Sequence, residues 1–242
     1  MILLWRLFSH SILITYCLIK HIGLAISTEE TITPGNPESK LTKNMIFPGT
    51  SMPDHDWWQL LWPDPKGVIQ SLGVEPNMVS IDLCCGYGHF TVPLALSSLK
   101  TYALDLDGEL LEKARKESEQ QNIKNCIWIQ GDAMNVDNLV PEKVDFILLA
   151  NTFHGVPDKK TLGKSMFSSL KPKGKLAIVN WHKRLQEETT IRGIPTGPES
   201  EMRMSLSEVE DILCPLGFTL QRIIDFPPYH YGAIFVKSTS VD

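Results

Sequence analysis

Three kinds of feature are missing from this sequence, and each absence excludes a class of protein. There is no run of lysines and arginines, and the formal net charge of -5 gives no general attraction to a phosphate backbone, so nucleic acid is not expected as a partner. No pair of cysteines or histidines has the spacing of zinc ligands, so we expect no metal. The five cysteines are scattered, which argues against a disulfide framework and for a reducing compartment such as the cytoplasm.

The length suits one domain with appendages, since the chain has 242 residues of which 43% are hydrophobic. We divide it into an apolar N-terminal segment plus polar linker, residues 1–44, and a globular domain, residues 45–242. Residues 1–27 are mostly apolar, but Arg6 and Lys20 interrupt them and leave a run that is marginal for a membrane span. Three interpretations stay open: a signal peptide, an anchor that makes the domain membrane-associated, and a dispensable or misassigned extension.

Apolar strand patterns and amphipathic helix patterns alternate along the domain. A helix is predicted to begin at the cap Asp64 and to end at Gly73. Strands are expected at residues 78–83, 101–106, 126–130, 144–150 and 175–181. Further helices are expected at residues 89–96, 108–121 and 159–170. This alternation predicts an α/β fold with a doubly wound, mostly parallel sheet and helices on both faces.

The C-terminal part carries a strong helix signal followed by two strands. Ser205 and Glu208 form a capping box, and Gly217 ends the helical spacing. Strands at 219–226 and 231–237 are joined by a linker short enough for a hairpin, which predicts an antiparallel strand at the end of the sheet. Residues 183–204 are expected to be a long polar excursion without regular structure that covers a substrate.

The turn after the first strand, Asp82-Leu83-Cys84-Cys85-Gly86-Tyr87-Gly88, is the first candidate binding element. Its glycines let the backbone approach a ligand closely. A dinucleotide fingerprint would have a third glycine where Thr91 stands, and the carboxylate of Asp82 would repel a pyrophosphate. The turn therefore favours a cationic ligand over a phosphorylated one.

Two further carboxylates follow the next two strands. Asp105 ends the second strand, where a carboxylate can accept hydrogen bonds from both hydroxyls of a ribose. The alternative role for Asp105, a helix N-cap, suits Asp107 better because Asp107 directly precedes the helical pattern. Asp132 follows the third strand.

These elements together resemble the class I S-adenosylmethionine-dependent methyltransferases. The resemblance implies a seven-stranded sheet, Asp82 near the ammonium group of the cofactor, the glycine turn beneath its methionine part and Asp132 at the adenine amine. The family usually has glycine at the position of Cys84, which we expect to be tolerated with a negative φ. The implied cofactor site comprises Asp82, Cys84, Gly86, Gly88, Asp105, Leu106, Asp132, Ala133 and Asn151.

Candidate catalytic residues lie at two other places. Asn151 and His154 follow the fourth strand, where the resembling family lines both cofactor and substrate, although each has a structural alternative in loop or packing contacts. His230 follows Pro227-Pro228-Tyr229, a triplet that resembles part of a motif of amino-group methyltransferases but stands in the terminal hairpin. Trp57, Trp58 and Trp62 are expected either to cover the site or to pack in the core.

The sequence thus predicts direct transfer of a methyl group from S-adenosylmethionine to an oxygen, nitrogen or sulfur atom of an acceptor. A small molecule is favoured, and a protein acceptor stays open. A base is needed only for some acceptors. Two alternatives stay open: a domain that binds the cofactor without catalysis, and a nicotinamide-dependent oxidoreductase. The pattern does not define the oligomeric state.

Overall fold

The structure is a computed structural model that describes residues 55–239. Predictions on residues 1–27, and the proposed boundary between residues 44 and 45, lie outside this range. Within residues 55–239, no helix combines the length and the apolar character that crossing a bilayer requires.

The main sheet has seven strands in the spatial order β3-β2-β1-β4-β5-β9-β8. Its parallel strands are β1 (Val79–Leu83), β2 (Lys100–Asp105), β3 (Cys126–Gln130), β4 (Val144–Ala150) and β5 (Leu170–Trp181). At one end, β9 (His230–Lys237) runs antiparallel between β5 and β8 (Phe218–Phe226). The predicted doubly wound sheet and its antiparallel C-terminal strand are confirmed.

Helices cover both faces of this sheet. They are α1 (His55–Leu61), α2 (Pro65–Ser71), α3 (Thr91–Ser97), α4 (Gly108–Gln120), α5 (Val136–Leu139), α6 (Lys159–Ser169) and α7 (Leu206–Leu213). One apolar cluster joins α5, α6 and α7 to the first face, and a second joins α1, α2 and α3 to the other. Every residue of β1 is buried, because a central strand between two helical layers has no solvent face.

Local signals explain where the helices begin and end. Asp107 caps α4 by accepting from the backbone N–H groups of Glu109 and Leu110, at 2.9 and 3.2 Å. The capping box of Ser205 and Glu208 is present at the start of α7. These contacts confirm the predicted starts of both helices and leave Asp105 free of a capping role.

Two predictions on the second half of the chain are corrected. Strand β5 begins at Leu170 instead of residue 175, because Leu170 pairs with Val144 ahead of a register shift. The excursion at 183–204 is not without regular structure: it contains a hairpin of β6 (Thr190–Ile191) and β7 (Ile194–Pro195). Arg192 and Gly193 make its tight turn at φ angles of 52° and 77°, and positive values at both positions are those of a type I′ turn.

Candidate functional site

The glycine turn lies between β1 and α3, at the carboxyl end of the sheet. Cys84, Gly86 and Gly88 all have left-handed φ angles, of 59°, 52° and 78°. The negative φ expected for Cys84 is therefore wrong. The left-handed turn at Cys84 lets the N–H of Cys85 donate to the carbonyl of Leu104 at 3.1 Å, which continues the pairing with β2 beyond the end of β1. A non-glycine residue in this conformation carries backbone strain of about 1 kcal/mol.

Asp82 lies beneath this turn and is 3% exposed. The hydroxyl of Thr91 donates to its Oδ2 at 2.5 Å. Burial raises the pKa of Asp82 from 3.8 to about 7; the hydrogen bond from Thr91 opposes this shift, and the negative charge of Asp105 adds to it. Thr91 therefore has a specific role at the position where a dinucleotide fingerprint has glycine, and the sequence did not reveal that role.

Asp105 connects the turn to the end of β2. Its Oδ2 accepts from the N–H of Gly86 at 2.7 Å, and its Oδ1 accepts from the N–H of Asp107 at 2.9 Å. A carboxylate has about four acceptor positions, so each oxygen can accept a further hydrogen bond. The neighbouring Leu106 is 39% exposed.

Asp132 lies two residues beyond β3, whose last residue, Gln130, pairs with Asp105 in the sheet. It caps a short 3-10 turn at Ala133–Asn135 by accepting from the N–H of Met134 at 2.9 Å. The N–H of Gly131 donates to the carbonyl of Asp105 at 2.9 Å, so the ends of β2 and β3 are held together.

The negative charges of Asp82, Asp105 and Asp132 all act on the thiol of Cys84. Burial is the largest cause that raises the pKa of the Cys84 thiol, followed by the negative charges of Asp105, Asp82 and Asp132. Among the described residues, no lysine, arginine or histidine forms an ion pair with any of these three. The region therefore has a negative charge that suits a cationic ligand, and Asp82 adds its full charge to it only when ionised.

Asn151 lies just beyond β4, beside the same strand ends. Its φ is 56°, and its N–H donates to the carbonyl of Val179 at 2.8 Å. Both side-chain amide atoms are buried without a hydrogen-bond partner among the described residues. A buried amide left unpaired is costly, so this side chain is a good candidate for ligand contact.

His154 lies in a 3-10 turn, Phe153–Gly155, and is 8% exposed. Burial is the main cause that lowers its pKa from 6.5 to about 4, with Lys159 and Arg203 contributing positive charge. Its Nδ1 has no hydrogen-bond partner within residues 55–239. His154 lines a cavity of about 580 Å³ between the end of β4 and α7, together with Lys159 and Arg203.

His230 is enclosed by aromatic rings. It lies 4.4 Å from the Trp62 ring and 4.2 Å from the Trp181 ring, measured between centroids. Burial holds its pKa well below 6.5, and the charges of His182, Arg203 and His154 act in the same direction. His230 is therefore neutral and mostly shielded from solvent. These surroundings suit a packing role better than the role of an exposed base.

The excursion at 183–204 packs over this aromatic group. Gly197 approaches Trp181 so closely that a Cβ there would lie 2.8 Å from the ring. Tyr229, in the turn after β8, donates its hydroxyl to the carbonyl of Thr190 at 2.8 Å. Trp62 is a core residue at 4% exposure, while Trp57 and Trp58 are half-buried against the same apolar cluster.

Two further polar residues of this region were not predicted. Asn180, on β5, is fully buried; it influences the pKa of His154 and Tyr231, although neither contact has hydrogen-bond geometry. Arg203, just before α7, is 1% exposed. No periodic pattern marks an arginine in a polar excursion as buried, so sequence reasoning had no signal for it.

Comparisons with known proteins agree on one family. A family model described as a methyltransferase domain matches residues 74–211. A demethylmenaquinone methyltransferase of Lactobacillus johnsonii is 31% identical over 118 residues, which are 47% of this chain and 48% of that protein. One of Lactococcus lactis subsp. lactis is 29% identical over 132 residues, 53% of this chain and 50% of that protein. The chain spans about half the length of these curated relatives.

Solved structures share the fold over about three quarters of the chain. An S-adenosylmethionine-dependent methyltransferase from Aquifex aeolicus matches with a TM-score of 0.63 at 25% identity, covering 76% of this chain and 94% of that one. The (4+2)-cyclase SpnF matches with a TM-score of 0.58 at 14% identity, covering 72% of this chain and 82% of that one. At 14% identity, the match to the cyclase shows a shared fold and nothing more.

Proposed function

This chain belongs to the methyltransferase-domain family, and from that premise we propose that it transfers a methyl group from S-adenosylmethionine to a small-molecule acceptor. The relatives named demethylmenaquinone methyltransferases favour a small molecule over a macromolecule. When bound, the cofactor supplies a methyl group on a positively charged sulfur, already activated for displacement.

The observation that carries the proposal is the group of three carboxylates around Cys84. We assign Asp82 to the ammonium group of the cofactor, Asp105 to the ribose hydroxyls and Asp132 to the adenine amine. Asp105 suits its role because both of its oxygens have acceptor capacity beyond the backbone bonds they make. A cation beside Asp82 would favour its ionised form and offset part of the cost of burying it.

On the acceptor side, the chain contributes mainly orientation. Asn151 has a free amide group with which to hold the acceptor or the cofactor. His154 is uncharged at neutral pH but is a weak base, because burial lowers its pKa to about 4. It therefore suits an acceptor whose proton is already acidic or one that needs no base at all. The polar excursion at 183–204 covers the acceptor.

Two alternatives make different predictions. A nicotinamide-dependent oxidoreductase would bind NAD, but the hydroxyl of Thr91 on Asp82 and the three uncompensated carboxylates disfavour a pyrophosphate at this turn. A non-catalytic domain would bind S-adenosylmethionine without releasing its methyl group.

Two measurements test the proposal. Calorimetric titrations with S-adenosylmethionine and with NAD are expected to show binding of the first only. Incubation with methyl-labelled S-adenosylmethionine and a cell extract is then expected to move label into the small-molecule fraction. Asp107→Asn, at an exposed helix cap, is the matched carboxylate control and is expected to behave as the wild type, whereas Asp105→Asn is expected to lose activity. Binding of S-adenosylmethionine without any labelled product would contradict the proposal and favour the non-catalytic alternative.

A further inference from the structure

Arg203 is a buried cation with unused hydrogen-bond donors. Its Nε donates to the carbonyl of Pro198 at 3.0 Å, and its Nη2 donates to Thr189 Oγ1 at 2.8 Å and to the carbonyl of Thr196 at 2.9 Å. A guanidinium has five N–H groups, and these contacts use the one on Nε and both on Nη2. Nη1 is buried and has no partner within residues 55–239, so both of its N–H groups are left over.

No carboxylate of the described residues neutralises this guanidinium within ion-pair distance. Burial is the largest influence on Arg203 and lowers its pKa, while the more distant charges of Glu187 and Glu188 oppose that shift. A buried charge without a counter-ion is strongly destabilising, and an anionic ligand would offset that cost. The three backbone and hydroxyl contacts hold the guanidinium in place rather than neutralise it.

The surroundings of Arg203 hold the guanidinium next to a cavity that could take a ligand with a negative group. The guanidinium lies 5.1 Å from the centroid of the Trp181 ring. Arg203 lines the same cavity of about 580 Å³ as His154 and Lys159, which bring an unpartnered ring nitrogen and a second cation. Three acids also line this cavity: Glu208 is bound to Lys183 and Ser205, while Glu201 and Asp211 are exposed to solvent.

We propose that Arg203 forms an anion subsite for the methyl acceptor, so that the acceptor carries a carboxylate or a phosphate close to its reacting part. The inference rests on the proposed function, because it assigns this cavity to the acceptor. Arg203 acts by binding and positioning, with the free Nη1 donating to an anionic oxygen. Because Nε and Nη2 are already engaged, an anion can be bound only through Nη1, and not by the two-pronged contact that a whole guanidinium edge would make.

The test measures anion binding directly, without turnover and without cofactor. Full-length protein is titrated calorimetrically with benzoate, with phenyl phosphate and with uncharged benzamide. We expect one of the two anions to bind at least about tenfold more tightly than benzamide, and which one does so identifies the anionic group. Arg203→Lys is expected to lose about tenfold in anion affinity, because an ammonium cannot keep the three anchoring bonds and also contact the ligand. Arg184→Gln, an exposed cation of the same excursion, is the matched control and is expected to bind anions unchanged.

Equal affinity for benzamide and both anions in the wild-type protein would overturn the subsite, whether or not the Arg203 variant folds. Unchanged anion affinity in a folded Arg203→Lys protein would overturn it too. A titration with S-adenosylmethionine on the same preparations separates the two claims. Cofactor binding and methyl transfer without anion preference would refute the subsite alone. Anion preference without cofactor binding would refute the proposed function and leave an anion site that serves no methyl acceptor.

Discussion

Replacing Asp82 with asparagine is expected to stabilise the ligand-free protein at neutral and alkaline pH and to weaken its binding of S-adenosylmethionine. The substitution keeps the shape of the side chain and an oxygen that accepts the hydrogen bond from Thr91. It removes a carboxylate that is costly to ionise, because it is buried and lies near the charge of Asp105. The same carboxylate is the group that we assign to the ammonium of the cofactor.

The size of the effect follows from the pKa of Asp82, which burial raises from 3.8 to about 7. Because the pKa is higher in the folded state, the bound proton contributes stability that is fully present below pH 3.8 and is lost as the pH rises through about 7. The whole loss is roughly 4 kcal/mol, at about 1.36 kcal/mol for each pH unit between the two values. Between about pH 5.5 and about pH 8.5 it is roughly 2 kcal/mol.

Urea unfolding of both proteins at these two pH values measures the effect. The other titrating groups cancel in the difference, so the wild type is expected to lose roughly 2 kcal/mol relative to Asp82→Asn on going to the higher pH. Calorimetry is expected to show cofactor affinity reduced about tenfold or more in the variant and unchanged in Asp107→Asn. A stability difference that stays constant with pH, or an Asp82→Asn protein that binds the cofactor as tightly as the wild type, would refute the reasoning.

Three other substitutions test separate parts of the site. Asp105→Ala is expected to weaken cofactor binding by roughly 1.5–3 kcal/mol in calorimetry, through lost charge-assisted hydrogen bonds to the ribose; unchanged affinity would remove it from the site. Cys84→Gly is expected to lower the free energy of unfolding by less than the control Cys85→Gly does, because relief of the left-handed backbone, worth about 1 kcal/mol, offsets part of the lost packing, whereas Cys85 has no left-handed φ to relieve; an equal loss in both variants would contradict the strain at Cys84. His154 is neutral above about pH 5 because burial lowers its pKa to about 4, so the pH profile of kcat/KM is expected to show no step near 6.5 from this residue, and a step there that His154→Gln abolishes would contradict the assignment.

The sheet and its order of elements could be predicted because they depend on local patterns. A fully buried strand such as β1 and a helix cap such as Asp107 can each be recognised from a few neighbouring residues of the sequence. The short hairpin within 183–204 also had a local signal, a glycine at position 193 in its turn, but two-residue strands are too brief for alternation to be recognised.

The candidate site was predictable only in part. The three carboxylates could be brought together from sequence, because parallel strands end at one edge of a sheet. The contact of Thr91 with Asp82, the left-handed φ of Cys84 and the burial of Arg203 depend on how the loops pack against the sheet. No periodicity in the sequence encodes such packing.

The most direct test of the central claim is the structure of this protein crystallised with S-adenosylhomocysteine, whose ribose, adenine and amino-acid parts are those of the cofactor. We predict its ammonium group beside Asp82, its ribose hydroxyls on Asp105 and its adenine amine at Asp132. A nucleoside bound elsewhere on the molecule, with these three carboxylates making no contact to it, would contradict the account.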